Sequence, residues 1–367
     1  MRVAVVLAVF AAITKGLLPM PSEPIFTLEL GPGSIRTVTE AGKKRLEAAG
    51  YDYADLTHSS IRVARANGGS SGNGPKSSMP PQNNALDQIV TLNATALEEN
   101  LLGLTEFHTR YYKSQTGIQS SKWLLGRIQA YISGATSRGV ERASFRIVDH
   151  NWEGQKSIIV SLEGKGKGVV VLGAHSDSIN GLDPTKGHAP GADDNGTGSI
   201  TILEALRAIL ESDLAVKDSE HTLEFHWYAG EEAGLLGSNA IFNEYARDHV
   251  NVIAMLNFDM TGYVKPNTKP TMGVITDNVD PKLTQRLREI IKKYCSLGWT
   301  DTSCGYECSD HASATLNGFP SAFIFESTFE NSNEYIHTPE DTIEKVDFGH
   351  VYEFAKLAVA AAYELAW

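Results

Sequence analysis

The chain has 367 residues, 42% apolar and 21% charged, an ordinary globular composition long enough for one large domain or two average ones with a sizeable core. Against 32 basic residues stand 44 acidic ones, and the net charge of −12 argues against a nucleic-acid surface and leaves no polybasic patch for anionic membranes. Three cysteines are too few for a disulfide-stapled scaffold.

At the N-terminus, MRVAVVLAVFAAITKG sets Arg2 ahead of an apolar run from Val3 to Ile13 that is too short to span a bilayer. A secretory signal over residues 1–18 is expected, and no later stretch has the length and apolarity of a membrane span, so the mature protein should be extracellular. Residues 19–64 contain one weak helical pattern, EAGKKRLEAAG, and residues 65–84 are dominated by Gly, Ser, Pro and Asn. This composition buries nothing, so 19–84 reads as a pro-segment and linker and 85–367 as the catalytic domain.

The folded unit should open with a helix marked by Thr95 and, three residues on, Glu98 as a capping box, with Leu97, Leu101, Leu104 and Phe107 at helical spacing. A second helix is predicted from about Ser121 to Ser133, burying Trp123, Leu124, Ile128 and Tyr131. Apolar, β-rich runs follow at FRIVDH, SIIVSL, VVVLGAH, TLEFHWY, VIAMLNF, TMGVIT and SAFIF. Between them lie helical patterns at SITILEALRAILES, LTQRLREIIKKY and VYEFAKLAVAAAYEL. The alternation specifies an α/β three-layer sandwich with a mostly parallel central β-sheet flanked by helices.

In open α/β sheets the reactive site lies beyond the carboxyl ends of the strands, and polar residues collect there in this chain. His175 and Asp177 end VVVLGAHSDS, Asp193 and Asp194 sit in GADDNGTG, Glu231 and Glu232 follow TLEFHWYAG, Asp259 follows VIAMLNF, and His337 lies in YIHTPEDT. Adjacent carboxylates such as Glu231 and Glu232 raise each other's pKa unless a positive group lies beside them. Imidazole plus carboxylate suits zinc, and two His with three carboxylates are too many for one tetrahedral ion but fit a bridged pair. Taken singly, each signal is weak: a lone His after a strand is usually a packed or loop residue, and an Asp before GTG can cap a helix. Cys304 and Cys308 in CGYEC could close a small loop or bind a metal; two thiolates without further ligands make a poor zinc site, which favours the disulfide and leaves Cys295 unpaired. Asn93 in NAT is the expected glycosylation acceptor, whereas Asn195 in NGT abuts a candidate ligand.

The strings GAHSDS, PGADDNGTG, AGEEAGLLGS, NFDMTGY, CGYECSDHAS and IHTPEDT resemble the co-catalytic zinc aminopeptidases of the metallopeptidase MH clan, most closely the secreted fungal leucine aminopeptidases, over residues 85–367. The resemblance implies two zinc ions, one held by His175 and Asp259, the other by Glu232 and His337, with Asp194 bridging and a cis peptide to Asn195. It further implies Asp177 as a hydrogen-bond partner of His175, Tyr306 reaching toward substrate, and Glu231 as the general base for a zinc-activated water. The implied activity is removal of a leucine-like N-terminal residue from peptides with a free N-terminus, by a monomer with no nucleic-acid or membrane partner. Within the same fold, a glutaminyl-peptide cyclase using one zinc, a carboxypeptidase and a metal-free binding module are the alternatives.

Overall fold

The computed structural model describes residues 24–30, 34–49, 51, 53–57, 91–212, 214–215 and 218–367. The expected signal and the linker at 65–84 lie outside these residues. The N-terminal part is more than a single helical stretch: β1 (Ile25–Glu29), β2 (Ile35–Thr39) and β3 (Ala54–Asp55) form an antiparallel sheet in the order β2-β1-β3, with α1 (Glu40–Ala48) beside it.

The main unit begins with α2 (Ala94–Thr105) and α3 (Gln115–Thr136). The cap of α2 is not Thr95 but Asn93, whose side chain accepts from the Ala96 amide at 3.2 Å; Thr95 already lies in the first turn. Helix α3 runs beyond the predicted 121–133 at both ends; its earlier start is set by Ser114, which caps it by accepting from the Gly117 amide. Leu124 and Ile128 are buried as expected, while Trp123 and Tyr131 pack only partly against the core.

The strands β4 (Ala143–Val148), β5 (Ser157–Leu162), β6 (Gly168–His175), β7 (Thr222–Tyr228), β8 (Asn251–Phe258), β9 (Met272–Ile275), β10 (Trp299–Thr302) and β11 (Ser321–Phe325) make one sheet in the order β10-β9-β11-β8-β6-β7-β5-β4. Its centre is parallel: β6 pairs β7 and β8 in that sense, and β11 pairs β8 likewise. Period-two alternation sends Val170, Leu172 and Ala174 of β6 to one face and Val171 to the other. Helices α4 (Gly198–Leu210), α6 (Pro281–Tyr294) and α8 (Phe348–Ala366) cover the first face together with α2 and α3; α5 (Leu236–Arg247) and α7 (His311–Leu316) cover the second. Every residue of α4 is buried, as expected of an apolar helix sandwiched between the sheet and other helices. This parallel centre turns the C-terminal ends of β6, β7, β8 and β11 toward one rim.

Candidate metal centre

Each strand of that rim delivers its polar residue at a different angle. His175 is the last residue of β6, 1% exposed, and its carbonyl accepts from Ser199 Oγ at 2.7 Å. Asp259 follows β8 directly; its Oδ2 accepts from Ser309 Oγ at 2.6 Å, and Ser309 accepts in turn from Asn257 Nδ2 at 2.8 Å. That leaves Asp259 Oδ1 facing His175 Nε2 at 3.3 Å. Glu231 and Glu232 do not stand at the end of the β7 strand. They open a turn beyond Gly230, whose φ of +69° is left-handed, so the two side chains diverge by turn geometry rather than by strand alternation.

Asp177 anchors that turn. Its Oδ1 accepts from the Glu231 amide at 3.1 Å and its Oδ2 from the Glu232 amide at 3.2 Å. The distance from Asp177 Oδ1 to His175 Nδ1, 3.5 Å, is long for a hydrogen bond, so the main-chain contacts are the tighter ones. Asp194 lies in a distorted turn, Ala192–Thr197, ahead of α4, and the peptide to Asn195 is cis. Asn195 is buried and committed: Nδ2 donates to the Phe258 carbonyl, and Oδ1 accepts from the Gly198 and Met260 amides. Asp193 turns away from the rim, accepting from Thr197, Gly262 and Asn333.

Asp194 is the centre of the arrangement. Its Oδ1 faces His175 Nε2 at 3.2 Å and its Oδ2 faces His337 Nε2 at 3.1 Å. His337 also faces Glu232 Oε2 at 3.0 Å, while Glu231 Oε2 stands off His175 Nε2 at 3.9 Å. Glu232 Oε1 and Asp259 Oδ1 are buried without a hydrogen-bond partner among the described residues. Imidazole nitrogens and carboxylate oxygens converging this way, with buried lone pairs left over, fit zinc.

The electrostatics point the same way. Burial raises Glu231 well above the ordinary carboxylate range, helped by Asp310, Asp259 and Glu232 and opposed by His175; burial and Asp194 push Glu232 up to about 7. For Asp194, burial is outweighed by its bonds to His175 and His337, and its pKa falls. Both imidazoles are raised by the carboxylates around them in spite of burial. A cluster in which acids and bases hold protons against their ordinary preference is one that a cation relieves.

These groups border a cavity of about 490 Å³. One end is apolar, lined by Met260, Phe323, Phe325, Phe329 and Ile336; Tyr306 borders it from the loop closed by the Cys304–Cys308 disulfide. Asp277 accepts from the Cys304 and Gly305 amides at 3.0 and 2.7 Å and fixes that loop. Ala49, Tyr51 and Tyr53 of the N-terminal sheet region line the same cavity. Cys295 lies apart, half-buried beside Glu353, and burial pushes its thiol up to about 12.

Sequence reasoning overlooked four residues around the site: Arg110, Ser309, Asp310 and Asp341. Ser309 and Asp310 stand inside CGYECSDHAS and Asp341 inside IHTPEDT, so proximity to motif strings was their only signal. Asp310 is fully buried at the start of α7, and burial pushes its carboxyl up to about 8. Arg110 stands in HTRYY, which carries no pattern at all.

Imidazoles and carboxylates gathered around one cavity at a sheet rim are the donor set of a metal-dependent enzyme. The profile of peptidase family M28 matches residues 157–362. Leucine aminopeptidase 1 of Arthroderma gypseum is 46% identical over 352 residues, covering 93% of this chain and 92% of that protein. Leucine aminopeptidase 1 of Coccidioides posadasii is 42% identical over 384 residues, covering 98% and 95%. The crystal structure of the LapA aminopeptidase of Legionella pneumophila superposes with a TM-score of 0.81 at 27% identity, covering 94% of this chain and 99% of that one. The chain belongs to peptidase family M28 and is a hydrolase of the zinc aminopeptidase class.

Proposed function

We propose that the protein is a secreted aminopeptidase that removes leucine-like residues from the free N-terminus of peptides, using two zinc ions. His175 and Asp259 would hold one ion and Glu232 and His337 the other, with Asp194 the carboxylate available to both. The observation that carries this reading is Asp194 itself, with one carboxylate oxygen 3.2 Å from His175 Nε2 and the other 3.1 Å from His337 Nε2. Bound zinc supplies a Lewis acid for the peptide carbonyl and lowers the pKa of water at the site.

The chain's own residues do the rest. Glu231, farther from His175 Nε2 than Asp194 and Asp259 are, takes the proton of the attacking water and returns it to the departing amine. Asp177 fixes the turn that aims both Glu231 and Glu232. The substrate's free amine binds beside Glu232 and Asp194, and the apolar end of the cavity takes the side chain, with Tyr306 at its border. A pro-segment role for the N-terminal unit is supported by Ala49, Tyr51 and Tyr53 lining that cavity. Asn93, exposed ahead of α2, is the proposed glycosylation site.

Two substitutions test the roles. Glu232→Gln should lose zinc at the second position, and added zinc should partly restore activity. Glu231→Gln should retain both ions while kcat falls by roughly a hundredfold or more, without rescue by zinc. Metal analysis of the purified variants decides: loss of zinc from Glu231→Gln with retention in Glu232→Gln would reverse the roles, and full activity in both would end the two-zinc reading. One zinc per wild-type chain, with cyclisation of N-terminal glutamine, would select the cyclase instead.

A further inference from the structure

The residues Pro190–Asn195, which carry Asp194, are gripped on both sides of their main chain. Arg110 is fully buried, yet its guanidinium points at carbonyls and not at the cavity. Nη1 donates to the Pro190 carbonyl, Nη2 to the Gly191 carbonyl at 2.8 Å, and Nε to the Ser176 carbonyl, next to His175, at 3.0 Å. Its own amide donates to Ser178 Oγ at 3.0 Å, and Ser178 Oγ donates to the Ala189 carbonyl at 2.8 Å. On the other side Asp341, 1% exposed, takes the amides: Oδ1 accepts from Asp193 at 3.1 Å, Oδ2 from Asp194 at 3.0 Å, and its carbonyl from Ala192 at 3.1 Å.

The Arg110 guanidinium is buried beside Asp341, Asp177, Asp194 and Glu232, which offset its lost hydration at a distance, yet it spends its hydrogen bonds on main-chain carbonyls, so what it fixes directly is the path of the main chain around Asp194. We propose that Arg110 and Asp341 are a pair of positioning residues for the metal centre. Arg110 holds the carbonyls of the Asp194 loop and ties them to the end of β6, and Asp341 holds the amides. Together they fix the place and direction from which the Asp194 side chain leaves the main chain, within reach of both imidazoles. The inference rests on Asp194 as the shared ligand, and neither residue touches substrate.

Arg142 supplies an internal control. It too donates to three carbonyls, those of Ala215, Glu163 and Leu214, but at the opposite end of the sheet from the metal ligands. Arg110→Lys, Asp341→Asn, Ser178→Ala and Arg142→Lys would be compared with wild type by zinc titration against a competing chelator and by melting of the EDTA-treated protein. Arg110→Lys and Asp341→Asn should each move the zinc midpoint to about tenfold higher free zinc or more, the usual effect of losing an outer partner of a metal ligand. With leucine p-nitroanilide at saturating zinc, kcat should fall while KM moves less than twofold. The double variant should fall short of the product of the two single effects, because both act on one loop. Ser178→Ala removes a single hydroxyl and should shift the midpoint severalfold in the same direction, which keeps the idea testable if the larger changes prevent folding. Arg142→Lys should lower the melting temperature and leave the zinc midpoint alone. Zinc midpoints equal to wild type in Ser178→Ala and in whichever of the two larger variants fold would overturn the proposal, as would an equal shift in Arg142→Lys. If wild type titrates with a single zinc, the shared-ligand reading fails separately, and an unshifted midpoint of that one ion in the variants overturns the clamp.

Discussion

His150 is a residue whose protonation the fold decides. Its ring stacks on Trp152 with centroids 4.2 Å apart, and Nε2 lies 2.7 Å from Ser157 Oγ, which also accepts from the Ala229 amide two residues before Glu231. Burial, opposed only weakly by Asp149, lowers its pKa to about 4. In the unfolded chain the value is about 6.5, so as pH falls the unfolded state takes up the proton first. The stability contribution is therefore complete above about pH 6.5 and is lost between there and about 4. From pH 7.5 to 5 the loss is on the order of 2 kcal/mol. Urea midpoints at these two pH values should differ less in His150→Phe than in wild type, the metal centre contributing alike to both; an unchanged difference would exclude His150 as the source.

Among the elements, α6 follows most directly from its residues. Asp280 accepts from the Lys282 and Leu283 amides at 2.9 and 2.8 Å, Pro281 occupies the first turn, and Lys292 and Lys293 the last. Leu283, Leu287, Ile290, Ile291 and Tyr294 form the buried stripe. Asp280→Ala should lower stability by about 1 kcal/mol, or about 1–2 °C in melting temperature for a chain of this size, with kcat unchanged. A loss of several kcal/mol or altered turnover would mean that the cap does more than start a helix. Helix α5 shows the opposite case: it starts after Leu235, at a left-handed φ of +60° and without a side-chain cap, and its sequence LGSNAIFNEYAR mixes polar and apolar residues. It forms because Ile241, Phe242 and Tyr245 have a sheet face to cover, which no local signal announces.

At the scale of the whole molecule, the N-terminal sheet docks beside the turn that bears Glu231 and Glu232. Lys43 Nζ and Asp55 Oδ2 are 2.7 Å apart and nearly fully buried, with Lys43 also over the rings of Phe26 and Tyr53. The Asp55 amide donates to the Gly234 carbonyl at 3.1 Å, and Asn239 Nδ2 donates to the Asp55 carbonyl at 2.9 Å. Breaking one partner of a buried pair leaves the other charge uncompensated, at about 3–5 kcal/mol. Asp55→Asn should therefore loosen the unit and raise kcat/KM of the uncleaved chain toward that of a chain starting at Pro80. Equal specific activity in the full chain, the variant and the shortened chain would show that the unit does not restrict the site.

Sequence alone determined the sandwich, because buried parallel strands must be continuous apolar runs and the helices between them must carry a 3.6-residue stripe, patterns that survive without coordinates. It also nominated His175, Asp194, Glu232, Asp259 and His337, since chemistry at a sheet rim concentrates polar residues just after apolar runs. Tertiary structure alone decided how they face one another: that Asp194 presents an oxygen to each imidazole, that Asp177 holds amides more closely than it holds His175, and that the two glutamates part in a turn. Arg110 and Asp341 are the sharpest instance. The contacts by which they hold the Asp194 loop go to main-chain carbonyls and amides up to 149 residues away, and the main chain is the same in every residue, so contacts made to it leave no mark in the sequence of the segment they hold.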